Sequence, residues 1–194
     1  MEYGIYTNTR NAAWQCLIDC GISELPIKPV KIAKSYNLQC KKADDIVLHG
    51  DAGKIKKVNG IVTIIFNSEN IVQRQRYTIM HELGHYLLGH LGDEPLSRSE
   101  KECRPVEEQA ADKFAIDMLA PACVLWGLDL HTPEEIASTC NISLQSATYR
   151  AERMKILYER EQNFLKTRGH SCFLQSPLEQ RVYQQFHDFI EKSK

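Results

Sequence analysis

Two histidines four residues apart, with a glutamate beside the first, are the residues of this chain best suited to chemistry: His81-Glu82-Leu83-Gly84-His85. On a helix, positions i and i+4 share a face, so both imidazoles can hold one metal ion. Glu82 adjoins His81 and can reach a water in a coordination position left open, which is the place for a general base. Two nitrogens and one oxygen suit zinc, and a fourth position left to water makes such a site catalytic rather than structural. Manganese or iron suits the same ligands. Met80, Leu83 and Leu87 form an apolar stripe beside the histidines, so this helix is expected to be buried there. Gly84 costs that helix about 1 kcal/mol relative to alanine, and a close approach by another element or by substrate would explain it.

The third ligand must come from another segment. Ala111, Phe114, Ala115, Met118 and Leu119 recur at i, i+3, i+4, i+7 and i+8, the pattern of a buried helix face. Glu108 lies three residues before Ala111 and extends that face. A carboxylate entering a core needs a compensating charge, which a zinc ion supplies. Asp112 lies four residues after Glu108 and can accept the second ring N–H of a metal-bound histidine. Glu107 points about 100° away and is expected in solvent. His90 follows His85 by five residues and reads as a histidine at a helix C-terminus rather than as a ligand. A tetrahedral oxyanion would need a stabilising group, for which Tyr77, Tyr86, His90 and Arg104 are the candidates. Cys103 reads as a plain loop cysteine.

These residues require particular elements to hold them. Helical spacing predicts a helix over 8–20, with Cys16 and Cys20 packed in the core, and a shorter one from Val30 to Tyr36. The lysine-rich stretch 38–60 suits strands joined by turns. Ile61 to Phe66 is β-branched, bounded by Gly60 and Asn67, and forms the strongest strand. A long helical stretch is predicted from Asn67-Ser68 to about Leu91, then a charged loop over 92–104, then a helix from about Val106 to Leu119. Short helices are expected beyond, with a final amphipathic helix over 177–192. Its apolar face carries Leu178, Val182, Phe186 and Ile190, which either docks on the domain or meets a partner. Thr132-Pro133-Glu134-Glu135 is a capping box, and residues 132–156 look like a helix-turn-helix. Their three basic residues (Arg150, Arg153, Lys155) are matched by three acidic ones, so the reading favours a packing or protein-docking module over direct DNA binding.

The composition is that of a globular protein. The 194 residues are 43% hydrophobic and 25% charged, which excludes general disorder and fibrous repeats. The net charge is −1, so no overall basic field draws the chain to nucleic acid or an anionic membrane. Residues 1–58 hold 9 basic and 6 acidic residues, whereas residues 59–121 hold 6 and 10, so the acid lies around the chemistry. The longest apolar run is Ile61–Phe66, far short of the ~20 residues that span a bilayer. The N-terminus lacks the pattern of a secretory signal, and seven cysteines without framework spacing suggest reduced thiols in the cytoplasm.

His81-Glu82-Leu83-Gly84-His85 followed by Glu108-x-x-x-Asp112 resembles the gluzincin arrangement of metallopeptidases. More narrowly, Arg76 to His85, Glu108-Gln109-Ala110-Ala111-Asp112-Lys113-Phe114-Ala115 and Leu119-Ala120-Pro121 resemble the ImmA/IrrE family, as does the Leu25-Pro26-Ile27-x-Pro29-x-Lys31-Ile32-Ala33 opening. These are cytosolic regulatory zinc peptidases of bacteria and their mobile genetic elements. The resemblance covers about residues 22–121. It implies that His81, His85 and Glu108 bind the metal and that Glu82 is general base and acid. It also implies a protein substrate, a helix-turn-helix repressor cut to release gene expression. Ala110 stands where the family often has a second Glu, and Asp112 where it often has Asn.

The expected fold is therefore α+β: a zincin-like metallopeptidase domain over 1–121 with a small β-sheet, and a helical C-terminal region over 122–194. The expected activity is that of a zinc-dependent endopeptidase of narrow specificity. The alternatives are a metal-binding anti-repressor that acts without cutting, and a general peptide hydrolase. A retained Glu82 weighs against the first, because a structural site needs no base.

Overall fold

The computed structural model describes residues 3–58, 60–91 and 105–193. Their backbone forms two compact units, one of Met1–Ala13 with Lys28–Ala115, the other of Trp14–Ile27 with Ile116–Lys194. Helix α1 (Tyr3–Asp19) and the later helix that begins at Pro105 each contribute residues to both.

The first unit is α+β. Helix α2 (Pro29–Ser35) precedes strand β1 (Gln39–Ala43), helix α3 (Asp45–Leu48), strand β2 (Gly53–Val58) and strand β3 (Ile61–Asn67). The sheet order is β1-β3-β2. β1 runs parallel to β3, with Cys40 opposite Ile64, and β2 runs antiparallel to it, with Ile55 opposite the same residue. The most β-branched segment is thus paired on both edges, where pleated packing rewards it most. Ile55 and Ile64 are fully buried, with Phe66 beside them on the same face of the sheet.

Helix α4 (Val72–Leu87) packs close to β2. A side chain at Gly53 would collide with the Thr78 methyl group and the Ile65 carbonyl oxygen, so glycine there sets how near helix and sheet come. Met80 and Leu83 are buried as the apolar stripe predicts, with Ile79 beside them, whereas Leu87, the third residue of that stripe, is only half-buried. Helix α5 (Pro105–Leu119) follows, with Ala111, Phe114 and Ala115 fully buried.

Three local expectations are corrected. Helix α3 interrupts the stretch read as strands and turns, because Asp44 caps it by accepting from Val47 N at 3.0 Å. Helix α4 begins at Val72 rather than Asn67. Asn67 instead ends the strand, accepts from Glu69 N at 2.8 Å and donates to Asp45 at 3.0 Å, so its side chain serves a turn and not a cap. The helix stops at Leu87 rather than about Leu91. The predicted loop 92–104, with Cys103 and Arg104, lies outside the described residues.

The second unit is helical: α6 (Ala122–Gly127), α7 (Pro133–Cys140), α8 (Leu144–Arg168), α9 (Pro177–Gln185) and α10 (His187–Ser193). Its core includes Trp14, Leu17, Leu125, Met154 and Phe186. The capping box at Thr132 and Glu135 forms as predicted. Helix α8, at 25 residues, is far longer than the short helices expected there. The predicted tail helix breaks in two around Phe186. Val182, Phe186 and Ile190 are fully buried, so the tail docks within its own unit. Arg150 is buried with Asp117 at 3.1 Å and also donates to the Ala120 carbonyl, so it is spent on the core and offers nothing to a phosphate.

Candidate metal centre

The two histidines lie in the last turns of α4, where the C-terminal end of the helix dipole favours a cation. Glu108 lies in the first turn of α5, the end that favours an anion. Gly84 allows these helices to meet. A Cβ there would stand 3.0 Å from Phe114 Cδ1 and 3.3 Å from its Cβ. The glycine that weakens α4 is therefore explained by a neighbouring element, and α5 comes near enough to deliver a carboxylate.

His81 Nε2 lies 3.0 Å from His85 Nε2 and 3.3 Å from Glu108 Oε2, and His85 Nε2 lies 3.5 Å from Glu108 Oε1. Three lone-pair atoms thus converge within 4.8 Å of one another. Ligands at 2.0–2.1 Å around a tetrahedral ion stand about 3.3–3.4 Å apart, close to these separations, in which each histidine faces a different oxygen of the Glu108 carboxylate. The chemistry of the group fits as well. Asp112 Oδ1 accepts from His81 Nδ1 at 2.8 Å, which leaves Nε2 of His81 as a bare acceptor facing two others. Such an arrangement calls for a proton or a metal ion at its centre.

The surroundings are layered. Tyr77 Oη donates to the same Asp112 oxygen at 2.7 Å. Burial would raise the Asp112 carboxyl, but the hydrogen bonds from His81 and Tyr77 outweigh it and hold the group below its usual value. Burial, with Asp112 beside it, pushes the Tyr77 phenol well above its usual range, so it stays a donor. His85 is fully buried, and on its other edge Nδ1 lies 3.0 Å from Nδ1 of His90. Glu82, 3% exposed, follows His81 directly and stands outside the three-atom group.

All five residues singled out from the sequence thus fall on α4 and α5, and four of them (His81, His85, Glu108 and Asp112) are in direct contact. Of the four oxyanion candidates, Tyr77 is engaged with Asp112, His90 with His85, Tyr86 lies half-buried in the last turn of α4, and Arg104 lies outside the described residues. Sequence reasoning missed these two supporting contacts. Tyr77 precedes His81 by four residues and so shares its helix face, a signal that was available.

A family profile for the IrrE N-terminal-like domain, a peptidase family, matches residues 45–152, more than half of the chain. The chain belongs to that family. No curated protein matches it. Membership joins the α+β architecture to a zincin-like ImmA/IrrE domain and makes the His81, His85 and Glu108 group a fitting seat for a divalent metal. Among the described residues, no helix is long and apolar enough to cross a membrane.

Proposed function

We propose that this ImmA/IrrE protein is a cytoplasmic zinc-dependent endopeptidase of narrow specificity whose substrate is a helix-turn-helix transcriptional repressor. The observation that carries the reading is the convergence of His81, His85 and Glu108 beside a buried Glu82. Free thiols at Cys16, Cys20, Cys40, Cys123, Cys140 and Cys172 accord with a reducing compartment.

His81, His85 and Glu108 would hold the ion, which when bound would supply Lewis acidity for activating water and polarising the scissile carbonyl. Glu82 takes the proton of the attacking water on its carboxylate and delivers it to the departing amine nitrogen. Asp112 keeps His81 in the tautomer whose Nε2 faces inward, and Tyr77 holds Asp112 in turn. The family match supports the peptidase class, and the repressor rests on the family resemblance.

The test pairs wild type with Glu82→Gln. Metal content is measured on both, and each is incubated with the repressor encoded beside the gene. Both should carry about one metal per chain, and cleavage should fall roughly 10²–10⁴-fold in the variant. Repressor held by both but cut by neither would replace the peptidase reading with that of a binding anti-repressor. Absence of metal from both would overturn the metal centre itself.

A further inference from the structure

We propose that His90 is a positioning residue for the metal centre, its Nδ1 accepting the Nδ1–H of His85 and so fixing the tautomer in which His85 turns its Nε2 lone pair to the metal. The proposal rests on the metal reading given above and adds to it a residue outside the His-Glu-x-x-His motif.

The backbone dictates the contact. Helix α4 ends with Leu88 as its cap and Gly89 at φ +74. Gly89 N donates to Tyr86 O at 3.2 Å, and His90 N donates to His85 O at 2.9 Å. These two bonds define a Schellman closure, which folds the second residue past the cap back over the third-last residue of the helix. Apolar side chains usually occupy both places. Here both are imidazoles, with ring centroids 5.0 Å apart and planes at 68°. The left-handed conformation at position 89 is what glycine supplies without strain.

The chemistry makes the contact useful. His85 is fully buried, so its Nδ1–H needs an acceptor within the protein. Its Nε2 faces His81 and Glu108. His90 meets the opposite edge of the same ring, away from the converging atoms, and therefore stands behind a ligand rather than among the ligands. His81 is backed by an anion, Asp112, whereas His85 is backed by an imidazole. A neutral acceptor orients His85 without adding another negative charge beside Glu82, Glu108 and Asp112.

The experiment compares His90→Leu, which removes the acceptor at similar bulk, with His90→Asn, whose Oδ1 takes the place of Nδ1. His90→Ala serves as a second acceptor-free variant should the leucine protein fail to fold. Zinc affinity is measured on the full chain by competition with a chromophoric chelator, the visible spectrum of the cobalt-substituted protein is recorded, and the apo-protein melting temperature is followed. His90→Leu should weaken zinc roughly 10–100-fold, shift the cobalt bands and lower the apo melting temperature, while His90→Asn stays close to wild type in all three. Unchanged zinc affinity and cobalt spectrum in the acceptor-free variants overturn the proposal and leave the metal centre standing. Equal losses in the leucine and asparagine variants also overturn it, because the acceptor and not the ring is the claim. A wild type that takes up no zinc brings down the metal reading, and this proposal with it.

Discussion

Each unit of the protein holds a polar cluster, one fully buried and one partly open, and the two are built on opposite plans. In the second unit Arg150 and Asp117 meet at 3.1 Å, both almost wholly buried, and the arginine also reaches a backbone carbonyl. Charge is balanced by the two side chains themselves. In the first unit His81, His85 and Glu108 present lone pairs to one another at 3.0–3.5 Å. That cluster offers its lone pairs to a cation. A buried pair that closes on itself holds the fold, whereas one that leaves a gap of defined size selects a guest.

Four substitutions sharpen this contrast. The largest effect is expected from Glu108→Ala, which should reduce bound metal to near zero and cleavage by roughly a hundredfold or more, with little change in apo stability. An equally destabilised apo protein would place Glu108 on the Arg150 plan instead. Arg150→Met should remove the charge partner of buried Asp117, at a cost of about 3–5 kcal/mol by denaturant titration. The double variant with Asp117→Leu should recover most of that loss, and metal content should follow neither. Gly84→Ala places a methyl against Phe114 and should weaken metal binding, with overpacking of about 1–3 kcal/mol. Recovery in the double variant with Phe114→Leu would tie the loss to that contact, and its absence would break the link.

The smallest effect concerns Glu161, another buried carboxylate, which accepts from Cys172 N at 2.6 Å. Burial would raise its pKa, but the hydrogen bonds from Cys172 and Ser171 outweigh this and hold it below the usual glutamate range. A carboxyl depressed on folding stabilises above its unfolded pKa and loses that contribution as pH falls through the folded value. Glu161→Gln should therefore be less stable than wild type at neutral pH, and the two melting curves should converge below about pH 4. Parallel curves at every pH would assign Glu161 a packing role only.

Most of the metal cluster was legible because it obeys helical periodicity. The four-residue spacing put His81 and His85 on one face, and the apolar run through Ala111 and Phe114 pointed Glu108 inward. The close approach at Gly84 was legible as a cost in search of a reason. The contact from His90 was not, because it follows from how the chain leaves the helix and not from the helix period. Gly89 before His90 was the available signal. Arg150 entered only a charge balance over residues 132–156, because its partner is 33 residues away on another helix, beyond the reach of any local pattern. Helix α4 started late because Asn67, a good cap by type, was claimed first by the turn after β3.

The three converging atoms do not come from one helix. Two belong to α4 and the third to α5, with residues 86–107 strung between. An ion seated there acts as a rivet, closing that span of chain as a disulfide would but removable by any competing chelator. The lifetime of the protein in a cell would then track the local supply of its metal. Scarcity would thin the population through proteolysis of the unriveted form, in addition to any silencing of the site.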